Sequence, residues 1–383
     1  MPPSRAYLAP GMFGFARLAA YEYFEHVIRA LEKRYRDRDR PLEVHVVEVH
    51  PTASIRRRAA KLATRVSGTA GDDGGPIHLI GHSTGGLDAR LVVSPSVHLD
   101  EHTDRELARW IDRVRSIITI NTPHYGTPLA TFFATAKGQQ LLFAVSALTV
   151  TALKLGAPPL AAASALVAAL GRTNQSVGVE LRLIDNVTDA VMRVLDEASS
   201  RRLRDWLRQV RDDQGAVVQL MPEAMDLFIA GVENRAGVSY SCVASYAPPG
   251  KVGDWLRHLR APWSAVSAVL FHLLYRVTAV KDQRYACSPD RLDNEALLTF
   301  LGCIPPLGAN DGVVPLTSQI WGRPLWIGMG DHLDMVGHFP GPGGHTDWLA
   351  SGAKFDIHRF ELVMDRIVEA MIAAEDDMER ARA

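Results

Sequence analysis

The sequence predicts an α/β architecture, a mostly parallel central sheet with helices on both faces. Three observations predict it. Short apolar runs of strand character recur along the chain. Between them lie apolar residues at three- and four-residue steps, the period of one helix face. Strand and helix alternate throughout, the order that builds a parallel sheet covered on both sides.

The elements follow in order. Tyr7-Leu8-Ala9 is the first apolar strand and stops at Pro10-Gly11. Leu18, Tyr21, Phe24, Ile28 and Leu31 then mark a helix face. Leu42, Val44 and Val46 alternate as a strand does, and Ile55, Ala59, Leu62 and Val66 mark a second helix. A Gly/Asp-rich turn over 71–75 leads into a strand at 77–80, then a glycine-rich turn, then a short helix from about Leu87. Further strands are expected at 116–121, 237–242 and 325–328. The C-terminus predicts an amphipathic helix with Ile357, Phe360, Met364, Ile367 and Met371 on one face.

From about Ala130 the pattern changes. Segments 141–153 and 160–170 are rich in Ala, Leu and Val, but Lys154 and Pro158-Pro159 break them. Each half is shorter than the ~20 residues a membrane-spanning helix needs, so no transmembrane helix is expected. Two apolar helices folded as a hairpin fit, either as buried core or as a cap over an apolar site. Segment 185–210 reads as charged helix, and 262–280 as a second apolar helical insertion. The expected organisation is core at 1–129, a helical lid or cap at 130–214 and core again at 215–248. A second helical insertion then spans 249–285, and 286–383 completes the core.

The 383 residues are 47% hydrophobic and 22% charged, enough to bury a sizeable core. A net charge of -1 supplies no basic field for nucleic acid. Arg56-Arg57-Arg58 and the mixed run 36–40 read as solvated faces. Three cysteines are too few for a disulfide scaffold; a Cys287–Cys303 bridge stays open, with reduced thiols the expectation in the absence of a secretion signal. The N-terminus has no charged segment followed by a long apolar one, so a cytoplasmic location is the default expectation, with secretion open for a trimmed chain.

Chemistry concentrates at Gly81-His82-Ser83-Thr84-Gly85. A serine between two glycines, after a strand and before a helix, fits a tight bend that holds Ser83 out as a nucleophile with the helix N-terminus pointing at it. A serine hydroxyl needs a base, and the base needs an acid to orient it. In this arrangement the chain order is Ser, acid, His. Asp311, in Asn310-Asp311-Gly312-Val313-Val314-Pro315, and His332, in Gly330-Asp331-His332-Leu333-Asp334, meet that order. His338 and His345 are the competing histidines. Asp331 and Asp334 are the competing acids, too near His332 in sequence to orient it. The backbone N–H of Thr84, and that of Met12 in the loop after the first strand, would supply oxyanion donors.

Together these residues resemble the bacterial triacylglycerol lipases and esterases of the α/β-hydrolase superfamily. The likeness runs through 10–15 (PGMFGF), 80–90 (IGHSTGGLDAR), 118–127 (ITINTPHYGT), 220–225 (LMPEAM), 310–315 and 332–334. It covers roughly 6–130, 215–248 and 305–365. It implies an α/β-hydrolase fold, ester hydrolysis by Ser83, Asp311 and His332, and oxyanion donors at Met12 and Thr84. It also implies that 130–171 is a lid opening at a lipid–water interface. Pro10 replaces the histidine these lipases usually carry in the oxyanion loop. The family often holds calcium near the catalytic histidine. Asp334 sits where one ligand would be, and Asp290 or Asp293 is the candidate second; such carboxylates suit calcium's preference for oxygen.

The expected function is therefore hydrolysis of medium- to long-chain acyl esters, with a lipid or ester as the small-molecule partner and no required cofactor. No nicotinamide, flavin or phosphate-cradling motif is present. Acyl transfer by the same triad, and a non-catalytic lipid- or membrane-surface binding protein, are the alternatives.

Overall fold

The computed structural model describes residues 2–12, 23–50, 52–135, 213–249, 262–280, 282–290, 294–341 and 349–382, with 138, 197, 201, 208, 212, 292 and 347 besides. Six strands form one sheet: β1 (Ser4–Ala9), β2 (Leu42–Val46), β3 (Ile77–His82), β4 (Val114–Ile120), β5 (Ser239–Tyr246) and β6 (Arg323–Met329). Their order is β2-β1-β3-β4-β5-β6, and every neighbouring pair is parallel. Each lies where the sequence placed a strand.

The described helices are α1 (Glu25–Arg36), α2 (Ile55–Thr69), α3 (Thr84–Val93), α4 (Glu101–Leu107), α5 (Pro128–Phe133), α6 (Gly215–Gln219), α7 (Pro222–Gly231), α8 (Pro262–Thr278), α9 (Asn294–Leu301) and α10 (Ile357–Arg382). Helix α1 starts at Glu25; Leu18 and Tyr21, read as its first apolar positions, lie outside the described residues. Helix α3 starts at Thr84, three residues before the expected Leu87, because the turn ahead of it is tighter than a glycine-rich run suggests. The second apolar insertion is helical as α8. Most of the expected lid, 136–137 and 139–196 included, lies outside the described residues.

Side chains alternate across a strand, and this divides the core in two. Tyr7, Leu79 and Ile117 point to one face and pack with Leu62 and Val66 of α2 and Leu87 of α3. Leu8, Ile80 and Ile118 point to the other and pack with Leu31 of α1 and Phe360, Met364 and Ile367 of α10. All residues of β3 and β4 are buried, as a sheet covered on both faces requires. Each large apolar side chain removed from water contributes roughly 1.5–3 kcal/mol. Among the described residues no helix is long and apolar enough to cross a membrane.

Strand order reverses beside β1, with β2 on one side and β3 on the other. In open parallel sheets a crevice forms outside the carboxyl ends of the strands at such a switch point. The loop after β1 and the turn after β3 both open into it.

Candidate active site

Ser83 is the residue between β3 and α3. Its backbone sits at φ 54°, ψ -129°, a region a non-glycine residue occupies only when its surroundings enforce it. The enforcement is visible. The Ser83 amide donates to the Ile120 carbonyl at 2.8 Å, and the Gly86 amide donates to the Ser83 carbonyl at 3.1 Å. The glycines are demanded by backbone approach. A Cβ at Gly81 would come within 2.3 Å of the Gly85 carbonyl carbon, and one at Gly85 within 2.0 Å of the Ala9 oxygen. Thr84 begins α3, so its amide is among those a helix leaves without an internal partner.

The loop after β1 lies directly on Ser83. A Cβ at Gly11 would sit 2.7 Å from the Ser83 Cβ and 3.2 Å from its Oγ. Met12 follows and is buried; Phe13, Gly14 and Phe15 lie outside the described residues. The loop is anchored by Arg58, whose Nη2 donates to the Pro10 carbonyl at 2.5 Å and pairs with Asp88 at 2.8 Å. Nη1 of Arg58 donates to the His50 carbonyl at 3.3 Å. Arg58 and Asp88 are both wholly buried. Burial pushes the Asp88 carboxyl up to about 6 even beside the guanidinium. The sequence reading of Arg56-Arg57-Arg58 as a solvated face is thus corrected for Arg58. Its place on the buried stripe of α2, one residue before Ala59 and four before Leu62, was the available signal.

Asp311 and His332 meet as a pair. His332 Nδ1 donates to Asp311 Oδ2 at 2.7 Å, and the His332 amide donates to the Asp311 carbonyl at 3.0 Å. Asp311 Oδ1 accepts from the amides of Val313 (2.8 Å) and Val314 (2.7 Å). Neither residue is more than 3% exposed. With Nδ1 donating to the acid, the Nε2 lone pair of His332 is left to take a proton. The loop carrying Asp311 is fastened to the end of β5. Asn310 bridges to Ala247 on one side and to Pro315 on the other, and its side chain donates to the Tyr275 carbonyl at 3.2 Å. Gln319 accepts from the Ser245 amide at 2.8 Å and donates to the Ser245 and Val314 carbonyls, both at 3.0 Å. Sequence reasoning singled out neither Asn310 nor Gln319 as a brace, since a polar residue in a loop gives no sign that it will be buried.

Ser83 and His332 approach through His82. The His82 and His332 rings lie 4.7 Å apart, and His82 Nε2 bonds to the His332 carbonyl at 2.8 Å. Among the described residues no hydrogen bond joins Ser83 Oγ to His332. The rivals are placed elsewhere. His338 Nε2 donates to the Tyr23 carbonyl at 3.2 Å, and His345 lies outside the described residues. Asp331 Oδ1 accepts from the Leu333 and Asp334 amides, closing a turn rather than facing the His332 ring.

Asp334 is buried and its Oδ2 accepts from the Asp331 amide at 2.8 Å. Asp290 is exposed, and its charge acts on Tyr125; Asp293 lies outside the described residues. The carboxylates that crowd Asp334 are Asp331 and Asp347. Burial pushes Asp331 up to about 7; burial and then the charge of Asp331 push Asp334 upward and Asp347 up to about 8. Among the described residues no three His, Cys, Asp or Glu side chains are arranged to hold a metal ion. Cys242, Cys287 and Cys303 are unbridged.

A cavity of about 860 Å³ is lined by Phe132 of α5, Pro222 of α7, Val277 of α8, and Val280 and Tyr285 beyond it, with the charged Glu223, Asp282 and Arg284 between them; Ser83, Asp311 and His332 are not part of its lining. Thr127 and Thr278, next in sequence to the lining residues Pro128 and Val277, donate to the carbonyls of Val313 (2.6 Å) and Gly312 (3.2 Å) in the loop carrying Asp311.

No family model and no curated protein matches the chain. Solved structures do. Lipase 1 from Pelosinus fermentans is 16% identical with a TM-score of 0.51, over 96% of this chain and 99% of that one. The Staphylococcus hyicus lipase is also 16% identical with a TM-score of 0.51, over 97% of this chain and 96% of that one. EstA from Clostridium botulinum is 20% identical, covering 92% of this chain and 86% of that one, with a TM-score of 0.49. At these identities the likeness shows architecture alone: the chain has the α/β-hydrolase fold.

Proposed function

We propose that the protein is a serine carboxylic-ester hydrolase acting on apolar acyl esters through an acyl-enzyme. The observation that carries this reading is the pairing of Asp311 with His332 at 2.7 Å in the crevice where Ser83 stands on its positive-φ turn. Ser83 attacks the ester carbonyl while His332 Nε2 takes its proton. The amides of Met12 and Thr84 receive the oxyanion, the larger part of the acceleration in such sites. His332 then protonates the leaving alcohol and draws a proton from water for deacylation. Asp311 fixes the tautomer of His332 and stabilises its cation.

A medium or long acyl chain is proposed as the group bound; the apolar Phe132, Val277 and Val280 of the cavity support it, beside the charged Glu223, Asp282 and Arg284 that share the lining. Segment 130–214 is proposed as the lid that meets a lipid–water interface. Calcium is proposed with Asp334 as one carboxylate ligand and backbone carbonyls completing its shell, where it would stiffen the turn after His332.

The test is hydrolysis of p-nitrophenyl esters from acetate to palmitate, by wild type and by Ser83→Ala, in calcium and in chelator. Ser83→Ala is expected to cut kcat by up to ~10⁶, with a wild-type optimum at medium or long chains. Retention of most activity by Ser83→Ala removes the assignment. Equal activity and equal Tm in calcium and chelator remove the metal.

A further inference from the structure

Position 82, the residue between Gly81 and Ser83, has no assigned role in the chemistry above. Its ring is wholly buried and engaged at both nitrogens. Nδ1 meets the Tyr23 hydroxyl at 2.6 Å, and Nε2 meets the His332 carbonyl at 2.8 Å. Tyr23 is itself buried, and its carbonyl accepts from His338.

The proton positions follow from the partners. A carbonyl oxygen only accepts, so Nε2 carries the hydrogen. In a neutral imidazole Nδ1 is then the acceptor, and it takes the Tyr23 O–H. Burial keeps the ring neutral, pushing the His82 pKa well down, and it pushes the Tyr23 phenol up. The chain of donation runs one way, from Tyr23 O–H to Nδ1 and from Nε2–H to the His332 carbonyl.

The base is thus held at three atoms. Asp311 holds its amide and its Nδ1, and His82 holds its carbonyl. The first two attachments belong to the loop that carries the acid. The third comes from the last residue of β3, one peptide bond from Ser83. We propose that His82, with its tautomer set by Tyr23, is a positioning residue that ties the backbone of His332 to the strand carrying the nucleophile. The inference rests on the hydrolase reading. Holding the base from the nucleophile's own strand fixes the Ser83–His332 separation, and a misplacement of about 1 Å in such a pair is worth roughly 10²-fold in rate.

The experiment compares His82→Leu, His82→Gln and Tyr23→Phe with wild type and Ser83→Ala. Leu fills similar space without a donor, whereas Gln returns an N–H near the place of Nε2. Readouts are kcat and KM on p-nitrophenyl butyrate, the labelling rate of Ser83 by a fluorophosphonate, and the His82 tautomer from ¹⁵N shifts of histidine-labelled protein. His82→Leu is expected to lower kcat and labelling about 10–100-fold with KM within about twofold. His82→Gln should recover most of that loss, and Tyr23→Phe should lose a few-fold. Wild-type His82 should carry its proton on Nε2. A folded His82→Leu that labels at the wild-type rate, a Gln variant as slow as Leu, or a proton on Nδ1 each overturns the proposal. Should His82→Leu fail to fold, Tyr23→Phe and the wild-type tautomer decide it. Turnover that survives Ser83→Ala would instead overturn the hydrolase reading, and the tautomer is read independently of that.

Discussion

Around Ser83 the parts come from one short stretch, the turn 81–86, with Gly11 laid across it from the adjoining strand. Around His332 they come from far apart: Asp311 is 21 residues upstream, Gln319 reaches back to Ser245, and Asn310 to Tyr275. The first region is stiff because backbone packs on backbone at distances that exclude a Cβ. The second is stiff because buried carboxyl, amide and imidazole groups use up their hydrogen-bonding capacity on loop backbone. The difference sets how each should fail. The Ser83 side should respond to added volume, the His332 side to altered polarity at constant volume.

The largest effect expected from a change of polarity alone is that of Asp311→Asn. The Asn oxygen can still accept from the Val313 and Val314 amides, so folding should be retained. Its NH₂ would then face His332 Nδ1, and the imidazole would adopt the wrong tautomer, as in serine proteases where the equivalent change costs ~10⁴ in kcat. Steady-state kinetics with a thermal melt checks it. A loss below tenfold would mean that Asp311 braces the loop without serving the base.

Next is the ion pair beneath the loop after β1, where the Ser83 side departs from its own rule by depending on buried charge. Arg58→Met leaves Asp88 uncompensated in a fully buried site and should cost about 3–5 kcal/mol. Arg58→Met with Asp88→Leu removes both charges and should regain most of that stability. It should not regain rate, because the Pro10 carbonyl still lacks the donor that holds its loop against Ser83. Urea unfolding and kcat are read on both variants. Recovery of both quantities in the double variant would show that the bond to Pro10 does not serve the chemistry.

The same contrast explains what the sequence made legible. Strands β1 to β6 announce themselves as apolar runs because both faces of the sheet are covered, and the Ser83 turn announces itself because only glycine fits at 81 and 85. Asp311 and His332 emerge from chain order, Asp311 in a loop just before an apolar segment and His332 just after a strand. The braces do not emerge. Arg58 is indistinguishable in type from Arg56 and Arg57; its place on the stripe of α2 marks it, but that the stripe is buried there with Asp88 as partner is a tertiary fact. Gln319 and Asn310 look like ordinary loop residues until β5 is placed beside them. Asp347 lies sixteen residues beyond Asp331, and nothing in the sequence marks that the charge of one reaches the other.

A third region, at the amino ends of the strands, gives the smallest expected effect and isolates stability from catalysis. Glu375 of α10 accepts from Ser4 (2.8 Å), Tyr35 (2.8 Å), His78 (2.9 Å) and Arg40 (2.8 Å). Burial alone would raise its carboxyl, yet the hydrogen bonds from His78, Ser4 and Tyr35 hold it down at about 2. A carboxyl depressed in the folded state contributes stability that is complete above its ordinary range and is lost as pH falls through the depressed value. Each unit of depression corresponds to about 1.4 kcal/mol, and solvent near the Arg40 side of the cluster screens part of it, leaving about 2 kcal/mol. Glu375→Gln should therefore be less stable than wild type by that amount at pH 7, with the gap closing as pH falls from about 5 to about 2. Its kcat at pH 7 should match wild type, since Ser4 and His78 lie at the opposite end of their strands from Ser83. Urea unfolding across that pH range reads the first, and ester turnover the second. A gap that persists unchanged at low pH would assign the contribution to packing rather than charge, and a fall in kcat would mean that the amino ends of the strands influence the crevice at their carboxyl ends.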